Sequence, residues 1–190
     1  EVDGEWGRFV IAVPLMGSFN ASNVLAAMAT VLTLGVPVDR VQKAVGRLAP
    51  PPGRLERFDG ANGVRVVVDY AHTADALANA LAALRPHVDG ELICVFGCGG
   101  DRDTGKRPDM AREAEKLADR VVVTDDNPRS EHPEAIARDI LAGFSDSAKV
   151  RVIHDRAEAI QSAIRSATPN DLVLIAGKGH EAYQEIAGQN

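Results

Sequence analysis

The sequence predicts an α/β fold, a mostly parallel sheet with flanking helices, and three observations carry that expectation. Short β-branched apolar runs at 64–68, 92–96, 121–124 and 172–176 read as strands buried on both faces. Helical spacing of apolar residues recurs at roughly 74–86, 107–118, 133–144 and 156–167, so strand and helix alternate; that order gives right-handed crossovers between parallel strands. Each of the four runs is followed by a charged or glycine-rich loop. In open α/β sheets such loops gather at the carboxyl edge of the strands, where ligands bind.

The elements follow in order. A helix is expected over 20–34, with Val24, Leu25, Met28, Val31 and Leu32 at helical spacing, and Gly35 stops it. Pro37 opens a second helix to about residue 48, with Val38, Val41, Val45 and Leu48 on one face. Pro50-Pro51-Pro52-Gly53 cannot continue a helix, so a stiff connection and a domain boundary are expected there. Thr73 reads as the cap of the helix that follows it, and Pro133 as a first-turn proline ahead of Ile136, Ile140 and Phe144. A fifth strand is expected at 150–153, and Asp155 with Glu158 forms a capping-box pattern before Ile160 and Ile164.

Bulk properties narrow the partners. A net charge of -6 argues against a nucleic-acid backbone as the main partner. The apolar stretch 9–16 is too short to span a bilayer and contains Pro14, and acidic rather than basic residues precede it, unlike a signal peptide. No membrane partner is expected, and the cytoplasm is the default location. Cys94 falls in a strand and reads as a small buried hydrophobe; Cys98 lies in a glycine-rich loop, and no second ligand pair accompanies it as zinc requires. Beginning at Glu1 and stopping soon after its last motif, the chain is expected to be part of a longer protein.

The four loops carry the chemistry. Asp126-Asn127-Pro128-Arg129 supplies a carboxylate, an amide, a rigid turn and a guanidinium, the set a zwitterionic amino acid needs; its bland alternative is a solvated turn ahead of a helix. Gly97 to Asp103 fits neither the dinucleotide fingerprint nor the phosphate-binding loop pattern, but its backbone N–H groups can form an anion nest. Arg102 within it is either a ligand group or a surface ion-pair residue, and Lys106 and Arg107 read as the start of a solvated helix. In Gly177-Lys178-Gly179-His180-Glu181, the Gly177 carbonyl and Glu181 carboxylate can accept from an ammonium group, whereas His180 reads as a locally satisfied helix-start residue. Asp69 places a carboxylate at a strand end.

As a set, these loops resemble the C-terminal domain of the Mur ligases, over essentially the whole chain. Asp126-Asn127-Pro128-Arg129 resembles the signature of the branch that adds meso-diaminopimelate to UDP-N-acetylmuramoyl-L-alanyl-D-glutamate (UDP-MurNAc-L-Ala-D-Glu). The resemblance implies a Rossmann-like domain over 52–190, preceded over 1–51 by two helices from the end of a central ATPase domain. It assigns Arg129 to the distal carboxylate of diaminopimelate, with Asp126, Asn127, Pro128, Arg102, Gly177 and Glu181 around the same amino acid. Asp69 would meet the ribose of ATP, Arg54 would lie near ATP, and Asn23, three residues after Asn20, would meet adenine. The implied reaction is ATP- and Mg2+-dependent amide formation through an acyl phosphate. No phosphate-binding loop of the Gly-x-x-Gly-Lys-Thr type is present, nor the family's central-domain lysine and histidine, so no catalytic residue is expected here and the chain alone should be inactive. Alternatives are a lysine-adding Mur ligase, a folylpolyglutamate synthetase-like ligase, or a stand-alone amino-acid-binding module.

Overall fold

The computed structural model describes residues 1–60 and 63–186. Two compact units divide the chain, Glu1–Pro51 and Pro52–Asn190. The first opens with an antiparallel hairpin, β1 (Val2–Gly4) and β2 (Gly7–Phe9), that sequence patterning did not reveal. Three-residue strands are too short to show a period. Helices α1 (Ser18–Thr33) and α2 (Val38–Val45) follow. Val24, Met28 and Leu32 of α1 bury against Val41 and Val45 of α2, with Trp6, Phe9, Ile11, Val13 and Leu15 packed beside them.

The second unit is a six-stranded sheet. In chain order its elements are β3 (Glu56–Asp59), β4 (Arg65–Asp69), α3 (Ala74–Leu84), β5 (Leu92–Phe96), α4 (Lys106–Leu117), β6 (Arg120–Val123), α5 (Pro133–Leu141), β7 (Val150–Val152), α6 (Arg156–Ser166) and β8 (Leu172–Ala176). The sheet order is β3-β4-β8-β5-β6-β7, with β3 antiparallel to β4 and every other pair parallel. This is the expected class, with one unexpected edge. Glu56–Asp59 carries a single apolar residue, Phe58, and its charged side chains, including the exposed Arg57–Asp59 pair, suit an edge that must not recruit further strands.

All five residues of β5 are buried, because helices cover both faces. On one face Ala159, Ala163 and Ala167, from α6 and its end, lie against Val66, Ile93, Val95, Val122 and Val173. Small residues on the helix let its backbone approach the branched side chains of the sheet. Leu77, Leu81 and Leu84 of α3 and Met110, Ala111 and Ala114 of α4 are buried as well. Each fully buried leucine contributes roughly 1.5–3 kcal/mol relative to exposure. Thr73 caps α3 and Asp155 caps α6, each accepting a hydrogen bond from the backbone N–H three residues on. The register aligns Asp69 with Ala176 and Phe96 with Val123, so four parallel strands end together and their loops leave from one edge.

Candidate functional site

Two of these loops are zipped together. The Gly100 N–H donates to the Asn127 carbonyl at 2.9 Å, and Arg129 Nη1 donates back to the Gly100 carbonyl at 2.8 Å. A Cβ on Gly100 would lie 1.9 Å from the Pro128 carbonyl oxygen, so only glycine permits this approach. Asp101, at φ 51°, accepts from the Ser130 hydroxyl at 2.7 Å and from the Ser130 N–H at 3.1 Å. Those bonds, the hydroxyl's first, hold its carboxyl below the usual range.

Beneath the zipper lies Arg107, 1% exposed, where the sequence suggested a solvated helix start. It donates to Asp139 at 2.8 Å, to Glu131 at 2.8 Å and to the Gly99 carbonyl at 3.3 Å. The correction has a physical reason: acids distant in sequence, on α5 and just before it, supply the counter-charge that burial demands. The Glu131 hydrogen bond outweighs desolvation and holds the Arg107 guanidinium more firmly protonated than usual. Glu131 in turn accepts from the Asp101 N–H at 2.6 Å, so one buried cation ties both loops to α4.

The third loop joins through Asn127, which is 5% exposed. Its Oδ1 accepts from Lys178 Nζ at 2.8 Å and from the Glu185 N–H at 2.8 Å, and its Nδ2 donates to Glu181 at 3.4 Å. Lys178, also buried, donates to Glu181 at 3.2 Å and lies 5.5 Å from the centre of the Tyr183 ring. Burial pushes the Glu181 carboxyl up, but the Lys178 hydrogen bond and charge, with Tyr70 and Asn127, bring it below the usual range. Gly177, at φ 112°, stands beside Asp126; a Cβ there would be 2.7 Å from the Asp126 carboxylate. Arg156, at the start of α6, donates to the Ala176 carbonyl at 2.9 Å and to that of Asp125 at 3.4 Å, bracing the ends of β8 and β6. Burial lowers its pKa, against the charges of Asp126 and Glu181.

The loop after β4 completes the edge. Asp69 accepts from the Leu55 N–H at 2.9 Å and from the Ala71 N–H at 2.8 Å, one bond to each carboxylate oxygen. The Arg54 guanidinium lies 4.6 Å from the Tyr70 ring centroid, and Tyr70 donates to Glu181 at 3.3 Å. The Glu181 charge, ahead of burial, raises the Tyr70 pKa. No helix begins at His180; its ring stacks on Tyr70 with centroids 6.1 Å apart, in a turn, which corrects the helix-start expectation.

Asp126, Asn127, Pro128, Arg129, Gly177 and Glu181 thus share one edge with Asp69 and Arg54. Arg102 stands apart: it is exposed, and among the described residues its one hydrogen bond reaches the Asp101 carbonyl at 3.4 Å. Asn23 lies in the first unit, exposed on α1 and bonded to Asn20 at 3.3 Å. Sequence reasoning gave no role to Lys178, Arg156, Tyr70 or Glu185. Lys178, between two glycines at a strand end, carried the clearest signal of the four. Burial pushes the Cys94 and Cys98 thiols up to about 12, which leaves both inert near neutral pH. Among the described residues no group of three or more His, Cys, Asp or Glu is placed to hold a metal ion.

Residues 53–179 match the family described as Mur ligase, glutamate ligase domain. The chain is 53% identical over 187 residues to the UDP-N-acetylmuramoyl-L-alanyl-D-glutamate–2,6-diaminopimelate ligase of Vibrio parahaemolyticus, covering 98% of this chain and 38% of that enzyme. A solved structure of a ligase with the same description superposes with a TM-score of 0.73 at 44% identity, over 97% of this chain and 38% of that one. Folylpolyglutamate synthase of Mycobacterium tuberculosis, complexed with ADP and AMPPCP, superposes with a TM-score of 0.70 at 27% identity, over 88% of this chain and 39% of that one. The chain therefore spans well under half the length of these relatives.

Proposed function

Since the chain belongs to the Mur ligase family, we propose that it supplies the amino-acid-binding part of an ATP-dependent ligase that adds meso-diaminopimelate to UDP-MurNAc-L-Ala-D-Glu in peptidoglycan biosynthesis. One observation carries the choice of amino acid. Arg129 is half-buried, its Nη1 is pinned by the carbonyls of Gly100 and Asn127, and it lines a cavity of about 610 Å³ together with Asp101, Ser130 and Glu185. A positioned guanidinium fork suits a carboxylate. Diaminopimelate has a distal carboxylate, whereas lysine has none, and in structural superposition the identity to the diaminopimelate-adding ligase is 44%, against 27% to the folylpolyglutamate synthase.

In this reading Arg129 holds the distal carboxylate, Asp126, Asn127 and Pro128 frame that end, Gly177 and Glu181 meet an ammonium group, and Arg102, exposed and apart from them, would have to turn toward the amino acid to reach it. The domain's contribution is positioning, holding the acceptor amine in line with the activated carboxylate. ATP would supply the phosphoryl group that gives the D-glutamyl γ-carboxylate a leaving group, and Mg2+, held mainly by the central domain rather than by these residues, would offset the charge. Arg54, exposed over Tyr70, offers a cation to the nucleotide, and Asp69 offers a carboxylate. Residues 1–51 would close a central ATPase domain and 52–190 form the C-terminal domain, in a cytoplasmic enzyme. Among the described residues no helix is long and apolar enough to cross a membrane.

The test compares the 190-residue chain with the full-length ligase. The full-length enzyme should release phosphate from ATP in a manner dependent on both diaminopimelate and UDP-MurNAc-L-Ala-D-Glu, and the 190-residue chain should release none. Full-length turnover with lysine and not with diaminopimelate would overturn the substrate assignment.

A further inference from the structure

Arg129 already holds a carboxylate. Glu185 Oε2 lies 3.2 Å from Arg129 Nε, with both side chains half-buried. This is no chance meeting of long side chains. The Glu185 N–H donates to Asn127 Oδ1 at 2.8 Å, and the Glu185 carbonyl accepts from the Arg129 N–H at 3.2 Å. The main chain of Glu185 is therefore tied to the same loop as Arg129, which keeps its carboxylate within ion-pair reach of the guanidinium. The other two acids lining the cavity have partners elsewhere, Asp101 with Ser130 and Glu131 with Arg107.

A bidentate carboxylate needs two parallel N–H groups from one edge of the guanidinium. The Nη1 group of Arg129 is directed to the carbonyls of Gly100 and Asn127, at 2.8 Å and 3.5 Å. The remaining edge is Nε with Nη2, and the Glu185 carboxylate stands against it as an ion pair, 3.2 Å from Nε. An arriving carboxylate must either displace Glu185 or settle beside a like charge. Resting on the assignment of Arg129 to the substrate's distal carboxylate, we propose that Glu185 is a positioning residue: a resident carboxylate that keeps Arg129 neutralised and oriented and that the substrate's distal carboxylate displaces. The exchange raises the threshold for binding at this point. A ligand able to form the full fork overcomes it, and an anion making a single contact does not.

The experiment uses the full-length ligase and its Glu185→Gln and Glu185→Ala variants, with kcat and KM measured separately for diaminopimelate and lysine. Releasing a partly exposed pair should lower the diaminopimelate KM by about two- to fivefold. The lysine KM and kcat for either substrate should stay as in the wild type, and in an Arg129→Ala background the Glu185 substitutions should not restore the diaminopimelate KM to its wild-type value. A diaminopimelate KM that is unchanged or raised in both variants overturns the proposal, as does a KM that moves equally for both amino acids, the mark of a general loosening of the loop. A wild-type enzyme without diaminopimelate turnover removes the underlying assignment instead, an outcome that the wild-type measurement alone reveals.

Discussion

Replacing Arg129 by alanine separates recognition from scaffolding. In the full-length ligase the change removes the guanidinium that should face the distal carboxylate, and it also removes the bonds to the Gly100 and Asn127 carbonyls. The two losses differ in what they reach. Carbonyl bonds of this kind contribute about 1 kcal/mol each, and their loss loosens the loop for every substrate, so it cancels in a ratio of specificity constants. Truncating one partner of a desolvated carboxylate–guanidinium pair costs about 2–5 kcal/mol, felt by diaminopimelate and not by lysine. The diaminopimelate-to-lysine ratio of kcat/KM should therefore fall by about 30- to 5,000-fold. Arg129→Lys keeps the charge but loses the fork, so it should recover only part of the ratio. Steady-state kinetics with each amino acid at saturating ATP measures it. If activity falls while the ratio holds, Arg129 is a loop brace and the reasoning from its chemistry is wrong.

Three other outcomes follow from the same contacts. Arg107→Met should destabilise the fold by about 2–4 kcal/mol, because it strands Glu131 and Asp139 although both reach solvent; urea unfolding of the 190-residue chain reads this directly. Asp69→Ala, in the full-length enzyme, should raise the apparent constant for ATP and leave that for diaminopimelate in place; a rise confined to diaminopimelate would show the loop to serve the other substrate. Glu181 is held below its ordinary value in the folded state, so its stabilising contribution is present above the ordinary glutamate range. That contribution is lost as pH falls through the folded value, and Glu181→Gln should flatten the acid limb of a stability-versus-pH curve.

The parts legible in the sequence are those whose signal is local. Strands β5 and β8 have the boundaries their apolar runs suggest, because burial on both faces leaves no polar residue to blur them. Strand β3 is not legible in the sequence because an edge strand of mixed charge has no pattern; only its pairing with β4, from Glu56 against Val68 to Asp59 against Arg65, identifies it. The polar loops were legible as a set because parallel strands must deliver them to one edge. The burial of Arg107 is not legible because its partners lie 24 and 32 positions along the chain, and beside Lys106 it reads as the start of a solvated helix. Glu185 carried no signal in isolation: a lone glutamate near the end of the described chain acquires meaning only from the loop it lies on.

The sheet order also bears on how the domain is made. Strand β8 is the last strand among the described residues, yet it lies between β4 and β5, joining the β3-β4 pair to the β5-β6-β7 trio. Until residues 172–176 leave the ribosome, those two groups share no strand contact, and β4 and β5 each present an unpaired edge. Among the described strands the centre of the sheet closes after both flanks, through pairings such as Val66 with Val173 that span most of the domain. Late, long-range closure of this kind is slow and leaves sticky edges open to other chains while synthesis proceeds. A premature stop before Leu172 would thus divide the sheet into two incomplete parts rather than trim its margin.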